Sequence, residues 1–516
     1  MRSPRFLPAL LAVLATGYTS LLAGDFRLGS PISDHMVLQR EKPVAVWGWA
    51  DAGESVTVAF GGQSKSATAA DDGKWSLKLD ALSASAESRS LVVTGKSGHK
   101  VEVKDVLVGE VWLGSGQSNM SFTVQSAKNY PVEKAAAKYP LIREYHEGSS
   151  AMTTPQAEGK GKWSACAPET VGSFSAVLYF FGREIHREVG VPVGLINTSV
   201  GGTPIEAWTS AEVQLADPAT KERYETALKN FNAFDPVKAT AAYEKQLAGW
   251  NKAAAKAKAE GKDIPRKPYE PISFRKSHGG PAGLYNGKVL NLVPYTLRGM
   301  LWYQGEGNAG MAELYHKQLT ALVTSWRTLW NDEVPYAWVQ LPNYTSPGEG
   351  WPRIRESMMK TLELPKTGMA ITLDLGDIKN IHPTNKQDVG KRLSYWALGT
   401  VYGKSVLAIS GPLPAGSSVN GNAITVSFKH ANAGLKTKDG GPVKGFQIAG
   451  ADQQWKSAEA KIDGDKVIVS SSEVTKPVAV RYAWKDWPDC NLYNGADLPA
   501  STFRTDDWPV PVVATK

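Results

Sequence analysis

Apolar and polar positions alternate in short runs over residues 25–104. The clearest are VAVWGWA at 44–50, SVTVAF at 55–60, WSLKLD at 75–80 and SLVVTG at 90–95. Clusters such as DAGE, FGGQ and ADDGK separate them. Short alternating runs closed by turn residues predict strands, and several in series predict a small sandwich or jelly roll. From residue 105 to 405 the pattern changes. Nearly continuous apolar runs (VLVGEVWLG, VGLINTS, LRGMLWYQG, YAWVQL, GMAITLDLG) alternate with helix-like stretches such as SAVLYFFGREIHREVG and AELYHKQLTALVTSWRTLW. In the last, Leu314, Gln318, Leu319, Leu322, Val323 and Trp326 recur at helical spacing. Alternating β and α segments predict an α/β domain with a parallel sheet and helices on both faces. Such sheets carry their sites at the carboxyl ends of the strands. Within this region, residues 218–272 are rich in Ala and Lys and predict a solvated helical insert. Residues 406–516 return to short strands: AITVSF, KVIVSS and VAVRYAW.

The first 23 residues stand apart. Arg2 and Arg5 precede an apolar run from Phe6 to Ala15, and small residues follow up to Ala23. That is the layout of a secretory signal, so a secreted or periplasmic location is expected. No stretch is long enough to predict stable membrane insertion. The formal charge of +8 is modest for 516 residues and does not point to nucleic acid. Two cysteines, Cys166 and Cys490, leave a disulfide open, and no Cys/His cluster has the spacing of a metal site.

Candidate chemistry collects where strand-like runs end. In GEVWLGSGQSNM, Ser118 follows a buried-strand pattern and a turn of small residues, Gly114 to Gly116. Such a turn exposes a hydroxyl with little steric cover, as a nucleophile requires. A serine needs a base. Of the histidines, His382 in DLGDIKNIHPTNKQDVGKRL is best placed, after one strand-like run and before a helix-like one. Asp377 and Asp374 are local candidates to orient its ring. Acyl transfer also needs donors for an oxyanion. The N–H of Ser118, the Gly201-Gly202 pair in NTSVGGTPIEAW, and the Gln304 amide in GMLWYQGEGNAG are the candidates. Gln117, Asn119 and Glu306 flank these positions as candidate substrate contacts. The glycine patterns lack the lysine of a P-loop and the βαβ fingerprint of a dinucleotide site.

These blocks, in this order, resemble the sialate O-acetylesterase family of SGNH-type hydrolases. SDHMVLQR and VWGWADAGESVTV are similar to its N-terminal β region, and GEVWLGSGQSNM, NTSVGGTPIEAW, WYQGEGNA and IHPTNKQDVGKRL to its four site blocks. The resemblance implies a three-layer α/β/α SGNH domain flanked by N- and C-terminal β-sandwich-like domains. It implies removal of O-acetyl groups from sugars without a metal or cofactor, with Ser118 as nucleophile and His382 as base. Many SGNH enzymes have an aspartate three residues before the histidine, where this chain has Lys379. Acetylated sialic acid, xylan and xyloglucan are the candidate substrates. An anionic sialic acid calls for an arginine, and Arg353 and Arg355 are the candidates. A non-catalytic carbohydrate-binding protein is the alternative. The sequence gives no oligomeric state.

Overall fold

A computed structural model describes residues 26–265, 267–346 and 348–509. The expected leader at residues 1–23 lies outside them. The run KVEVKDVLVGEVWLGSG forms one 17-residue strand, Lys100–Gly116 (β1), whose residues 106–116 are all buried. Burial on both faces explains why this stretch is continuously apolar. Six more strands complete the path: Tyr139–Glu147 (β2), Gly161–Cys166 (β3), Val193–Asn197 (β4), Gly299–Tyr303 (β5), Tyr336–Val339 (β6) and Thr367–Ala370 (β7). Their order is β3-β2-β4-β1-β5-β6-β7. All neighbours are parallel except the edge pair β3–β2, so the sheet is mixed rather than wholly parallel.

The chain places β2 and β4 on one side of β1 and β5 to β7 on the other. The direction of winding therefore reverses at β1. In open α/β sheets the crevice at such a reversal is where ligands bind, at the carboxyl ends of the strands. Three of the glycine-flanked blocks follow β1, β4 and β5, the strands that meet there.

Helices cover both faces. Trp112 of β1 packs edge-on against Phe181 of Ala176–Val189 (α1), with ring centroids 4.9 Å apart. The insert supplies Pro218–Asn232 (α2) and Pro236–Ala259 (α3), and Pro271–His278 (α4) starts at its edge and runs past it. Trp302 of β5, in register with Ser115, packs against Trp326 of Ala312–Trp330 (α5). Adjacent residues of a strand point to opposite faces, so the positions of Trp112 and Ser115 put α1 and α5 on opposite sides. Gly350–Lys360 (α6) packs beside α5, and Trp338 donates to the Met358 carbonyl at 3.1 Å. Lys386–Trp396 (α7) packs beside α1, with Trp396 near Trp112.

The strand β1 runs through residue 105, where the change of character along the sequence falls. Its first part pairs antiparallel with Ser85–Gly95, and Val37–Gln39 lies parallel to residues 107–109. Asp105 takes a positive φ of 56°, a conformation aspartate tolerates better than most residues. Arg143 of β2 grips it through its carbonyl and its carboxylate. A separate sheet holds Arg27–Leu28, Val44–Trp49 and Lys74–Leu79.

Beyond residue 410 the described residues form two four-stranded sheets and one strand pair. Phe428 and Phe503, one from each four-stranded sheet, meet edge-on at 5.7 Å. This region is tied to the α/β body by Arg355 of α6, which is fully buried. Its guanidinium donates to the carbonyls of Leu341, Pro342, Lys485 and Asp486 at 2.9–3.0 Å. The planar fork suits several carbonyls at once. Cys166 and Cys490 are both free thiols.

The insert is helical as its composition predicts. Each helix opens on an acidic residue followed by proline: Asp217-Pro218, Asp235-Pro236 and Glu270-Pro271. The carboxylates accept first-turn N–H groups, and proline at the first helical position gives up no bond.

Candidate active site

Ser118 is held in place by backbone. Gly116, at φ 135°, passes so close to the Tyr303 carbonyl that a Cβ there would collide with it. Gln117 N–H then bonds the same carbonyl at 3.0 Å. The chain turns at once into the short helix Ser118–Ser121, whose first bonds run from Met120 and Ser121 N–H to the Gln117 carbonyl. The Ser118 N–H precedes those bonds and is not used by the turn.

His382 arrives from the loop between β7 and α7. Its Nε2 lies 2.7 Å from Ser118 Oγ. The Phe122 ring lies nearly parallel to the imidazole, 6.4 Å away. The glycine pair after β4 closes the other side. Val200 N–H bonds the Gly116 carbonyl at 3.0 Å, which brings Gly201 onto Ser118. A Cβ on Gly201 would sit 3.3 Å from Ser118 Cβ, so glycine lets this backbone lie against the serine. Gly202 follows at φ 77°. Four sequence-predicted residues, Ser118, His382, Gly201 and Gly202, thus come together at the crevice.

Gln304 is also at the crevice but does not face it. Its side chain is fully buried. Its Nε2 donates to the Thr203 carbonyl at 3.2 Å and to Asn308 Oδ1 at 2.7 Å, and its Oε1 accepts from Tyr315 at 2.8 Å. A backbone carbonyl can only accept, so the amide cannot be turned the other way round. Both amide hydrogens are taken, and Gln304 braces the glycine loop instead of serving as an oxyanion donor. Asn308 continues the brace. Its Oδ1 also accepts Ile205 N–H at 3.0 Å, and its Nδ2 donates to Glu206 at 2.9 Å.

Asn119 and Glu306, expected as substrate contacts, form a second brace beneath the serine. Asn119 is fully buried. Its Nδ2 donates to Glu306 Oε1 at 2.5 Å and to the Ile381 carbonyl at 3.0 Å, while its Oδ1 accepts from Lys386 Nζ at 2.5 Å. One amide therefore joins the residue after the nucleophile to the residue before the base. Lys386 is fully buried, with its ammonium over the rings of Phe122 (4.9 Å) and Tyr303 (5.2 Å). Burial pushes its pKa down to about 7, opposed in part by Glu306. Burial pushes the Glu306 carboxyl up, and its backbone bond, Asn119 and Lys386 pull it back. Gln117 is buried too, and its Oε1 accepts Gly307 N–H at 3.2 Å.

Both acidic candidates near His382 accept hydrogen bonds of their own. Asp374 is paired with Arg392 through both oxygens, at 2.6 and 2.7 Å. Asp377 lies in an exposed turn, where its Oδ1 accepts Lys379 N–H at 2.9 Å and its carbonyl accepts Asn380 N–H at 3.3 Å. The two arginines considered for an anionic sugar are also engaged, Arg355 as described and Arg353 with Glu313 at 3.5 Å. Among the described residues, no cluster of three or more His, Cys, Asp or Glu could hold a metal ion.

Sequence reasoning passed over two functional positions. Lys386 stands four residues after His382 in the same block, and the signal was a lysine opening an otherwise buried helix face. His278 ends α4, the helix that starts at the edge of the insert and runs past it. Its Nε2 lies 2.6 Å from the Gly201 carbonyl, and nothing local in the sequence connects the two.

The family model for carbohydrate esterases described as sialic acid-specific acetylesterase matches residues 108–242 and 284–398. A solved carbohydrate acetylesterase from Xanthomonas citri is 36% identical, over 94% of this chain and 100% of that one, with a TM-score of 0.78. The sialate O-acetylesterase of Rattus norvegicus is 29% identical, with 98% of each chain covered. That of Homo sapiens is also 29% identical, with 94% of each covered.

Two outcomes follow from the buried brace. Asn119→Ala should lower kcat by tenfold to a hundredfold (order of magnitude) with little change in KM, because small displacements of reacting groups are costly. Turnover within threefold of wild type in a folded variant would refute the clamp. Between about pH 7 and 10.5 the unfolded chain holds the Lys386 proton that the folded chain has released. The contribution of Lys386 to stability therefore rises with pH across that window. Thermal midpoints of wild type minus Lys386→Met should rise over it, and parallel curves would contradict the assignment.

Proposed function

The chain belongs to the carbohydrate esterase family of sialic acid-specific acetylesterases, and from that premise we propose that it removes O-acetyl groups from sugars by Ser118–His382 catalysis. The observation that carries this reading is the 2.7 Å contact of His382 Nε2 with Ser118 Oγ, beside a glycine that leaves the serine uncovered. Ser118 Oγ attacks the acetyl carbonyl while His382 takes its proton. The Ser118 N–H and an N–H of the Gly201-Gly202 loop hold the oxyanion. The sugar alkoxide leaves with the proton from His382. Water, activated by the same imidazole, then releases acetate. Asp377 serves the base by closing the turn that leads into its loop.

With this mechanism goes the reading of residues 105–405 as a three-layer α/β/α SGNH-type domain. Residues 24–104 and 406–516 are its β-sandwich-like flanks. Residues 1–23 are read as a leader, which makes the protein secreted or periplasmic.

Acetylated sialic acid, xylan and xyloglucan are the substrate classes this chemistry fits, and an anionic sialic acid would need a cation other than the two arginines considered. Arg353 and Arg355, the arginines considered for a sialate carboxylate, are held by Glu313 and by four backbone carbonyls.

Ser118→Ala should reduce acetate release from an aryl acetate by about a thousandfold or more. Wild-type turnover in that variant would remove Ser118 from the role. Acetate release across acetylated xylan, xyloglucan and sialic acids ranks the substrates. Protein recovered outside the cytoplasm should begin near residue 24, and a retained Met1 in that fraction would refute the leader.

A further inference from the structure

The helix α4 falls between the two segments that match the family model, yet it reaches the catalytic serine. The contact runs through His278, its last residue. Nε2 of His278 lies 2.6 Å from the Gly201 carbonyl, and Nδ1 lies 2.9 Å from the Phe274 carbonyl of its own helix. Gly201 itself lies against Ser118.

Two further rings continue outward from His278. Phe274 stacks on the imidazole with centroids 3.7 Å apart, and Tyr269 lies 5.4 Å from Phe274. Phe274 is 37% exposed and Tyr269 57% exposed. Exposed rings that touch one another, as these two do, form a contiguous apolar surface of the kind found at binding sites. The segment is also anchored. Arg275 lies over the Phe231 ring at 3.5 Å and over Phe234 at 4.7 Å, and donates to the Phe231 carbonyl. Glu270 caps the helix start.

We propose that Tyr269 and Phe274, joined to the oxyanion loop through His278, form a subsite for a second sugar ring attached to the acetylated one. The substrate is then an oligosaccharide or polysaccharide, not a free acetylated monosaccharide. The proposal rests on the esterase reading only for which sugar stands at Ser118. The occupant follows from position and chemistry. The row starts at the nucleophile's own glycine loop, one contact removed from Ser118, which places it beside the position of a bound acetyl sugar. A pyranose presents a face of C–H groups that packs on the electron-rich face of an aromatic ring, with its hydroxyls left toward water. The sites of small ligands are commonly lined in this way, by aromatic side chains with a few polar groups.

The test uses binding to the Ser118→Ala protein, so that the ligand survives. Acetylated xylo-oligosaccharides and an O-acetylated sialyl-oligosaccharide are titrated calorimetrically, each beside its acetylated monosaccharide. At least one oligosaccharide should bind threefold or more tighter than its monosaccharide. Adding Tyr269→Ala or Phe274→Ala should remove that advantage, the usual scale for one aromatic contact being about threefold to tenfold. Tyr269 is exposed enough that its replacement should leave the fold intact, which circular dichroism checks. The proposal is overturned if neither oligosaccharide has an advantage or if the advantage survives both substitutions. Acetate release by the wild-type protein is measured separately. Ring-dependent binding without acetate release would overturn the esterase reading and leave the subsite standing. Acetate release without ring-dependent binding would do the reverse.

Discussion

The site depends on one buried amide. Asn119 follows the serine in the chain, and its side chain holds the carbonyl of Ile381, the residue before the histidine. Nucleophile and base come from loops more than 260 residues apart in sequence, so no local geometry can align them. A single side chain with two donors and one acceptor does so here, because its other contacts, Glu306 and Lys386, stop it from rotating. Such a network is stable only when its members are satisfied together, since unpaired polar groups are costly inside a protein. That cost makes the alignment cooperative: loosening one member frees the rest.

Close backbone approach is the second constraint. Gly116 lies against the Tyr303 carbonyl and Gly201 against Ser118. Three strand ends meet where the winding of the sheet reverses; a side chain at Gly116 would force them apart, and one at Gly201 would press on the serine. Polar side chains at the same ends, Gln117, Gln304 and Asn308, fill the space below with hydrogen bonds to the loops. The oxyanion side of the site is consequently backbone supported by buried amides, and the open side is left to the substrate.

Much of this was legible. Continuous apolar runs marked the central strands, because a strand buried on both faces tolerates little else. The small-residue turn before Ser118 marked a close approach that only glycine permits at Gly116, and the pair at 201–202 marked a tight turn against the serine, with Gly202 at positive φ. What misled was polarity. Asn119, Glu306 and Gln304 look like substrate contacts when read along the chain, since a polar residue at a strand end has the same letter whether it faces the cleft or the core. Their partners, Lys386, Ile381, Tyr315 and Thr203, are distant in sequence or unremarkable where they stand. Arg355 is a similar case, an arginine that looks fit for an anion and instead ties two parts of the fold together.

The sequence alone determined the alternation of strands and helices, the helical insert and the serine, glycine and histidine blocks. Each of these is written in local periodicity or in the steric needs of a single residue. Tertiary structure decided which polar groups face the cleft and which hold it up. It also decided that a histidine at the end of α4 touches the glycine loop, and that the strand from residue 100 passes unbroken into the central sheet. The reason is physical: burial and hydrogen-bond partnership depend on what lies across a gap in space, and a residue's neighbours in the chain say little about that.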